Sequence, residues 1–327
     1  MNLRSATILV TGAGGFIGSH LTEHLVQQGC RVKAFVHYNS AGSRGWLENS
    51  DCAADLEFFS GDIRDFDSVH RAMDGCSAVF HLAALIGIPY SYISPQAYLR
   101  TNIDGAYNIV ESARLRGVER VVLTSTSEIY GSARYTPMDE NHPVNSGSPY
   151  AATKVSADQL ALSYHRAFGL NVALARPFNT YGPRQSARAL IPTIASQLLD
   201  AAGPLRLGNL YPRRDLTFVD DVVRGFVAIA EGDFVGEAVH IGSGHSVSVG
   251  ELIEMLGSVT GREISVSQEM ERCRPPASEV NELLCDNRKL CSRTAWRPWT
   301  TLPEGLRRTV DWIARNGERF RPREYSV

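Results

Sequence analysis

Tyr150 and Lys154 stand four residues apart in a stretch, 149–168, whose spacing is helical, so both side chains leave one face toward the same volume. That pairing suits proton abstraction. A free phenol titrates near pH ~10 and is a poor base at neutral pH, whereas a neighbouring ammonium favours the phenolate, which can take a proton from a hydroxyl as hydride leaves the carbon. An isolated pair of this kind is also what an ordinary amphipathic helix shows at its surface, so its surroundings decide. One of them is the run Thr124-Ser-Thr-Ser-Glu128-Ile-Tyr-Gly131, which ends an apolar segment in hydroxyls and a carboxylate. Ser and Thr also serve as helix caps and turn residues, so the run alone is ambiguous.

The elements that must position these groups are legible as an alternation. Residues 6–10 form an apolar run followed by Thr11-Gly12-Ala13-Gly14-Gly15-Phe16-Ile17-Gly18, and from Ser19 the pattern turns helical, with Leu21, Leu25 and Val26 on one face. Glycines there let the backbone turn sharply and approach a pyrophosphate, whose charge sits against the amides of the helix N-terminus. Strand-like runs recur at about 6–10, 31–36, 56–59, 78–82, 119–124, 171–176 and 237–241. Helical stretches lie near 16–28, 66–73, 95–116, 149–168, 187–201, 219–231 and 248–260. The alternation predicts an α/β fold: a Rossmann-type, doubly wound parallel sheet, with ligand beyond the carboxyl ends of the strands. The pattern lapses after Arg176, returns through 214–242, and lapses again into a tail rich in Arg and Pro. The expected division is 1–176 plus about 214–242 for the dinucleotide-binding domain, and about 177–213 plus 243–327 for a smaller, discontinuous α/β substrate-binding domain.

The 327 residues are 43% hydrophobic with a formal charge of −2, enough to bury a large core and without the excess charge that marks a nucleic-acid binder. No apolar run approaches a bilayer span and the start leads straight into the first strand, so no membrane association and a cytoplasmic location are expected. The six cysteines show neither Cys-x-x-Cys nor zinc-type pairing with histidine, so reduced thiols and no metal are expected.

The strand ends complete a pattern. The fourth run closes on His81-Leu-Ala-Ala84 and continues as Leu85-Ile-Gly-Ile-Pro-Tyr-Ser-Tyr92. Gly61-Asp62, Asn102, Arg176-Pro-Phe-Asn179-Thr-Tyr-Gly-Pro183, Arg214-Asp215 before Phe218-Val-Asp-Asp-Val222, and Arg274-Pro with Ser278-Glu-Val280 add to it. Over nearly its whole length the chain resembles an extended short-chain dehydrogenase/reductase of the nucleotide-sugar-modifying kind. That resemblance implies that Thr126 is the hydroxyl partner of Tyr150 and that Lys154 also grips the nicotinamide ribose. Gly12, Gly15, Phe16, Ile17 and Gly18 would hold the cofactor with Leu82, Ala83, Ala84 and Asn102, and Asp62 and Ile63 would border the adenine. His37, Asn39, Ser40 and Arg44 follow the second strand without the carboxylate that would bind the ribose hydroxyls, which leans toward NADP, although uncharged residues there accept NAD too.

Within the resemblance, Thr126-Ser127-Glu128 matches 4,6-dehydratases and resembles the Thr-Ser-Glu of GDP-mannose 4,6-dehydratases. Once a C4 hydroxyl is oxidised, the carbonyl acidifies the C5 hydrogen, which a carboxylate can remove as the C6 hydroxyl departs as water. Glu128 is the expected base and then acid, acting through Ser127 or water. The segments around 85–92 and 177–193 resemble dehydratases of UDP- or GDP-N-acetylglucosamine, which makes an N-acetylhexosamine nucleotide the expected substrate; a neutral hexose nucleotide stays open. Ile86, Tyr90 and Asn179 would contact it, and Arg184, Arg188, Arg214 and Arg274 are candidates for its diphosphate, since a guanidinium donates bidentately to phosphate oxygens. The rival readings are a 4-epimerase, which would not need Glu128; more distantly a 5,6-dehydratase or glucuronate decarboxylase; and, outside enzymes, an inactive nucleotide-binding regulator. The resemblance also implies a homodimer built on the helices near 95–116 and 149–168, with Ala97, Ile103, Tyr107 and Val110 as apolar contacts.

Overall fold

The computed structural model describes residues 1–200, 202–322 and 324. Its strands are β1 (Thr7–Thr11), β2 (Arg31–His37), β3 (Leu56–Gly61), β4 (Ala78–His81), β5 (Arg120–Thr124), β6 (Val172–Pro177), β7 (Asn179–Tyr181), β8 (Leu205–Leu207), β9 (Arg213–Phe218), β10 (Ala238–Ile241), β11 (Ser246–Ser248), β12 (Val266–Gln268) and β13 (Glu282–Leu283). The helices are α1 (Phe16–Gln27), α2 (Phe66–Ala72), α3 (Ile88–Ile93), α4 (Pro95–Tyr98), α5 (Gly105–Arg116), α6 (Pro149–Phe168), α7 (Leu190–Asp200), α8 (Val219–Glu231), α9 (Val249–Thr260), α10 (Arg288–Arg293) and α11 (Leu302–Arg315).

Seven strands form one parallel sheet in the order β10-β6-β5-β4-β1-β2-β3. The order reverses between β1 and β4, and the crevice at their carboxyl ends is where doubly wound sheets take a ligand. Covered on both faces, the central strands β4 and β6 are buried at every residue. Successive side chains serve opposite layers: Ile8 and Val10 join a core with Leu21 and Leu25 of α1 and Val222 and Phe226 of α8, whereas Leu9 joins one with Val69 of α2, Ile109 of α5 and Ala157 of α6.

The smaller part is built from β9 with β11 and β13 at its sides and β7 paired on it, plus the separate pair β8–β12. The expected return to the large sheet at 214 is therefore split. Residues 213–218 hydrogen-bond into the second sheet, and only α8 and β10 rejoin the first. The core that holds Val10 and Ala173 continues through Phe218 to Leu306 and Ile313 of α11, so apolar packing is continuous between the two parts.

Three differences from the sequence expectations bear on the site. The helix expected over 95–116 is α4, then a π-helical turn at Leu99–Asp104, then α5. Val110, expected at a subunit interface, is buried against the protein's own sheet with Val121, while Tyr107 faces out. The Arg- and Pro-rich tail contains a helix, α11, whose Leu306, Val310 and Ile313 are buried.

Candidate active site

The carboxyl edge of the sheet brings together β1, β4, β5 and the first turns of α1 and α6. Thr11 ends β1 with its Oγ1 2.8 Å from His81 Nδ1 and accepts from the amides of Leu82 and Ala83 at 3.2 Å each. Burial keeps His81 neutral, pulling its pKa down to about 3. Gly12 has φ +69°, and a Cβ on it would lie 2.8 Å from Ala83 N; one on Gly18 would lie 2.1 Å from Gly12 O. The loop is thus drawn against 82–84 and against its own helix, which only glycine allows. Gly15 caps α1 with no side-chain hydrogen bond and no acid sits in the first turn. The amides of Phe16, Ile17 and Gly18 lead out of the helix with its positive end, a cradle that fits the pyrophosphate of a dinucleotide. A second loop supports it: Trp46 N donates to Gly14 O at 2.9 Å, and Trp46 packs edge-on to Trp312 of α11 at 5.3 Å.

At the end of β2, His37 is exposed, and beyond it Ser40 is exposed and the Arg44 guanidinium lies over the Phe58 ring at 4.1 Å. Asn39 turns inward, its amide donating to His37 O and Ser43 O and its oxygen accepting from Ser43 N, so it shapes this loop from within. Asp62 is forked by Arg64 at 2.5–3.0 Å, which holds its carboxyl below the usual range. Ile63 is buried and its carbonyl accepts from Asn108 Nδ2 at 2.8 Å. Asn102, expected among the cofactor residues, is engaged within the chain. Its oxygen accepts from Leu85 N at 2.9 Å while its amide donates to Leu85 O and Thr153 Oγ1 at 3.0 Å each, so its polar atoms are spent fastening the 82–87 loop to α6.

Ser148 caps α6 by accepting from Ala151 N at 3.2 Å, with Pro149 in the first turn, which sets Tyr150 at the helix mouth. The Thr126 hydroxyl favours the ionised form of the Tyr150 phenol, and Thr126 caps the short turn Ser127–Tyr130 by accepting from Glu128 N at 3.2 Å. Lys154 Nζ donates to Thr124 O at 2.5 Å, and burial draws its pKa down to about 8. Burial also pushes the Tyr150 phenol above its ordinary value, with Glu128 and Asp158 adding to the rise. The expected phenolate is therefore not made by Lys154 alone, because the ammonium is anchored on a backbone carbonyl while desolvation acts on the whole phenol.

Glu128 reaches the same space, side chain 13% exposed, with Oε2 3.2 Å from Arg274 Nη1. Arg214 is buried beside both, its Nη2 3.9 Å from Glu279 Oε1. Two arginines and two carboxylates thus line one wall, and Ser127 is buried within it. In the loop after β4, Ile86 is 62% exposed, and Tyr90 lies tilted at 6.2 Å to Tyr98, which stands edge-on to Tyr150 at 6.3 Å. Arg188 leans over this loop, its Nη1 3.4 Å from where a Cβ on Gly87 would be. Asn179 is half-buried at the start of β7. Arg184 does not join the group: it forks Glu23 at 2.9 and 3.0 Å and donates to Ser19 at 3.1 Å, because a positive φ of 69° turns it onto α1. Sequence reasoning missed Tyr98, whose hydroxyl donates to Gly87 O, and Asp158, whose place four residues beyond Lys154 continues the same helix face. Among the described residues no His, Cys, Asp or Glu cluster is arranged to hold a metal, and no helix is long and apolar enough to cross a membrane.

The family described as GDP-mannose 4,6-dehydratase matches residues 9–309. The chain belongs to that family, among the extended short-chain dehydrogenases/reductases. A dTDP-glucose 4,6-dehydratase of Streptomyces antibioticus is 32% identical over 319 residues, spanning 96% of this chain and 94% of the relative. Among solved structures, DesIV, a dTDP-glucose 4,6-dehydratase of Streptomyces venezuelae with NAD and TYD bound, is 32% identical with TM-score 0.88, covering 97% of this chain and 99% of that one. A UDP-N-acetylglucosamine 4-epimerase of Methanobrevibacter ruminantium in complex with UDP-N-acetylmuramic acid is 28% identical with TM-score 0.87, covering 96% and 99%. Similarity to the GDP-mannose 4,6-dehydratase family therefore extends to both dehydratases and epimerases of nucleotide sugars.

Proposed function

We propose that this chain is a nucleotide-sugar 4,6-dehydratase, forming a 4-keto-6-deoxy sugar by C4 oxidation, loss of water across C5 and C6, and hydride return to C6. The observation that carries this reading is Glu128, a shielded carboxylate on the same wall as Thr126 and Tyr150, where an epimerase needs none. A nicotinamide dinucleotide held at the glycine loop supplies, when bound, the hydride acceptor at C4, the donor at C6, and a positive ring charge that favours the phenolate. Tyr150, aligned by Thr126, takes the C4 hydroxyl proton; Lys154 holds positive charge beneath it. Glu128 removes the C5 proton and passes it to the departing C6 oxygen, which leaves as water. The proton kept by Tyr150 balances the one that C5 regains.

Arg214 and Arg274 are the diphosphate ligands in this reading, with Arg188, Tyr90, Ile86 and Asn179 about the sugar and its phosphates. UDP- or GDP-N-acetylglucosamine is the preferred substrate, on the resemblance of the 85–92 and 177–193 segments. NAD is the cofactor bound by the solved dehydratase. The leaning toward NADP rests on exposed His37, Ser40 and Arg44 with no carboxylate among them, and competition between the two dinucleotides separates these choices.

Mass spectrometry of product from UDP-N-acetylglucosamine, GDP-N-acetylglucosamine, GDP-mannose and dTDP-glucose tests the reaction. Loss of about 18 mass units from one of them, abolished in Glu128→Gln, is the expected result. An isomer of unchanged mass sinks the dehydratase reading and promotes the epimerase.

A further inference from the structure

The face of α6 that carries Tyr150 and Lys154 continues one turn further to Asp158, which is 1% exposed. Each of the three meets a consecutive residue at the end of β5. Tyr150 meets the Thr126 hydroxyl, Lys154 Nζ donates to Thr124 O at 2.5 Å, and Ser125 Oγ donates to Asp158 Oδ2 at 2.7 Å. The same carboxylate oxygen accepts from Arg176 of β6, Nη2 at 2.9 Å and Nε at 3.3 Å. Arg176 Nη1 donates in turn to Tyr130 Oη at 2.7 Å, which lies 2.7 Å from His240 Nε2. Asp158 Oδ1 is buried with no hydrogen-bond partner. A carboxylate that loads three donors on one oxygen and leaves the other bare is poorly matched if its only task is to neutralise Arg176.

We propose that Asp158 is a positioning residue for the hydride-transfer pair: through Ser125 it fixes the end of β5 against α6, so that Thr126 faces Tyr150, and it sets a buried negative charge one helical turn beyond Lys154. The charged and titratable groups about this carboxylate are Lys154 and Tyr150 on α6, Arg176 on β6 and Tyr130 on the turn after β5; His81 of β4 lies near Lys154 and is neutral. Asp158 is the attractive charge that opposes burial at Lys154. Its removal lets the ammonium lose its proton at lower pH. The inference rests on the Tyr150–Lys154 role in the proposed function, a role that dehydration and 4-epimerisation share, so a product without water loss would leave it standing.

The test is NAD affinity by calorimetry at pH 6.5 and 8.5, for wild type, Asp158→Asn and Ser125→Ala. With the Lys154 ammonium as ligand to the ribose and a pKa of about 8, wild-type affinity falls roughly fourfold over that interval. Loss of the Asp158 charge in Asp158→Asn steepens the fall beyond fourfold, while Ser125→Ala keeps the wild-type slope. A merely structural Asp158 would weaken binding by one factor at both pH values, and an unchanged slope overturns the charge role. Should Asp158→Asn fail to fold, Ser125→Ala decides the clamp: kcat on the turned-over nucleotide sugar falls several-fold with KM unchanged, and an unaltered kcat overturns it.

Discussion

At the scale of single residues, the ion pair between Glu128 and Arg274 has a consequence for binding. In the free protein each carboxylate of that wall has an arginine at hand, Glu128 with Arg274 at 3.2 Å and Glu279 with Arg214 at 3.9 Å. A diphosphate that takes the arginines must displace the Glu128 carboxylate from Arg274. Glu128→Gln is therefore expected to bind UDP or GDP more tightly, by about 1 kcal/mol or roughly fivefold, while losing turnover. The same substitution in an Arg274→Gln background is expected to gain nothing, because the competition it relieves is already gone. A calorimetric double-mutant cycle checks this. A gain that persists without Arg274 would mean plain repulsion between Glu128 and the diphosphate. That Glu128, Tyr150 and Lys154 lie together at the carboxyl edge of the sheet was legible because each stands at a strand end or on a helical spacing. The partner of Glu128 was not: Arg274 is 146 residues away along the chain, and nothing local reports which of several arginines turns inward. For Arg184 the same blindness ran the other way, since its backbone conformation aims it at Glu23.

At the scale of elements, the central sheet was readable almost to the residue, because strands buried on both faces give continuous apolar runs and their intervening helices a 3.6-residue period. The π-helical turn at Leu99–Asp104 was not, since an extra residue in one turn leaves helical spacing nearly intact. That turn is where Asn102 reaches both Leu85 and Thr153, and such turns recur at functional sites. Asn102→Ala removes three hydrogen bonds, one buried and two part-buried, and leaves the Leu85 backbone unpartnered, a loss of roughly 2 kcal/mol. Because the freed segment is the 82–87 wall of the cradle, NAD affinity is expected to fall several-fold alongside the thermal midpoint. Loss of stability with unaltered NAD affinity would assign Asn102 to the helix alone. The short strands β7, β8, β11, β12 and β13 escaped the sequence for another reason: at two or three residues each, they carry no period to detect. α11 did offer a signal, with Leu302, Leu306, Thr309, Val310 and Ile313 at helical spacing behind Thr301-Leu-Pro, but its arginines mask it in a reading of composition.

At the scale of the whole molecule, the outer faces of α5 and α6 leave Leu115 at 51% and Phe168 at 58% exposed, with Tyr107 at 44% and Leu99 of the π-helical turn at 48%. We propose that two copies of the chain pair through this surface; sedimentation is then expected to give twice the chain mass of 35.9 kDa, and Tyr107→Asp to shift it toward the monomer. Acid should dismantle the molecule by a route set deeper inside. His81 at the end of β4 and His240 in β10 are both buried and neutral, each drawn from 6.5 to about 3, His81 held by Thr11 and His240 by Tyr130 and the Met138 carbonyl. Between those values the unfolded chain binds protons that the native state refuses, so stability is full above pH 6.5 and falls as pH drops through the window. Each histidine accounts for about 2 kcal/mol lost between pH 7 and pH 5. His240→Gln takes one of them away: it is expected to cost stability at pH 7, where hydrogen bonds are lost, and to flatten the decline toward pH 5 by about 2 kcal/mol. Urea unfolding at the two pH values reads both effects, and a decline as steep as in wild type would move the acid sensitivity from the histidines to the paired carboxylates.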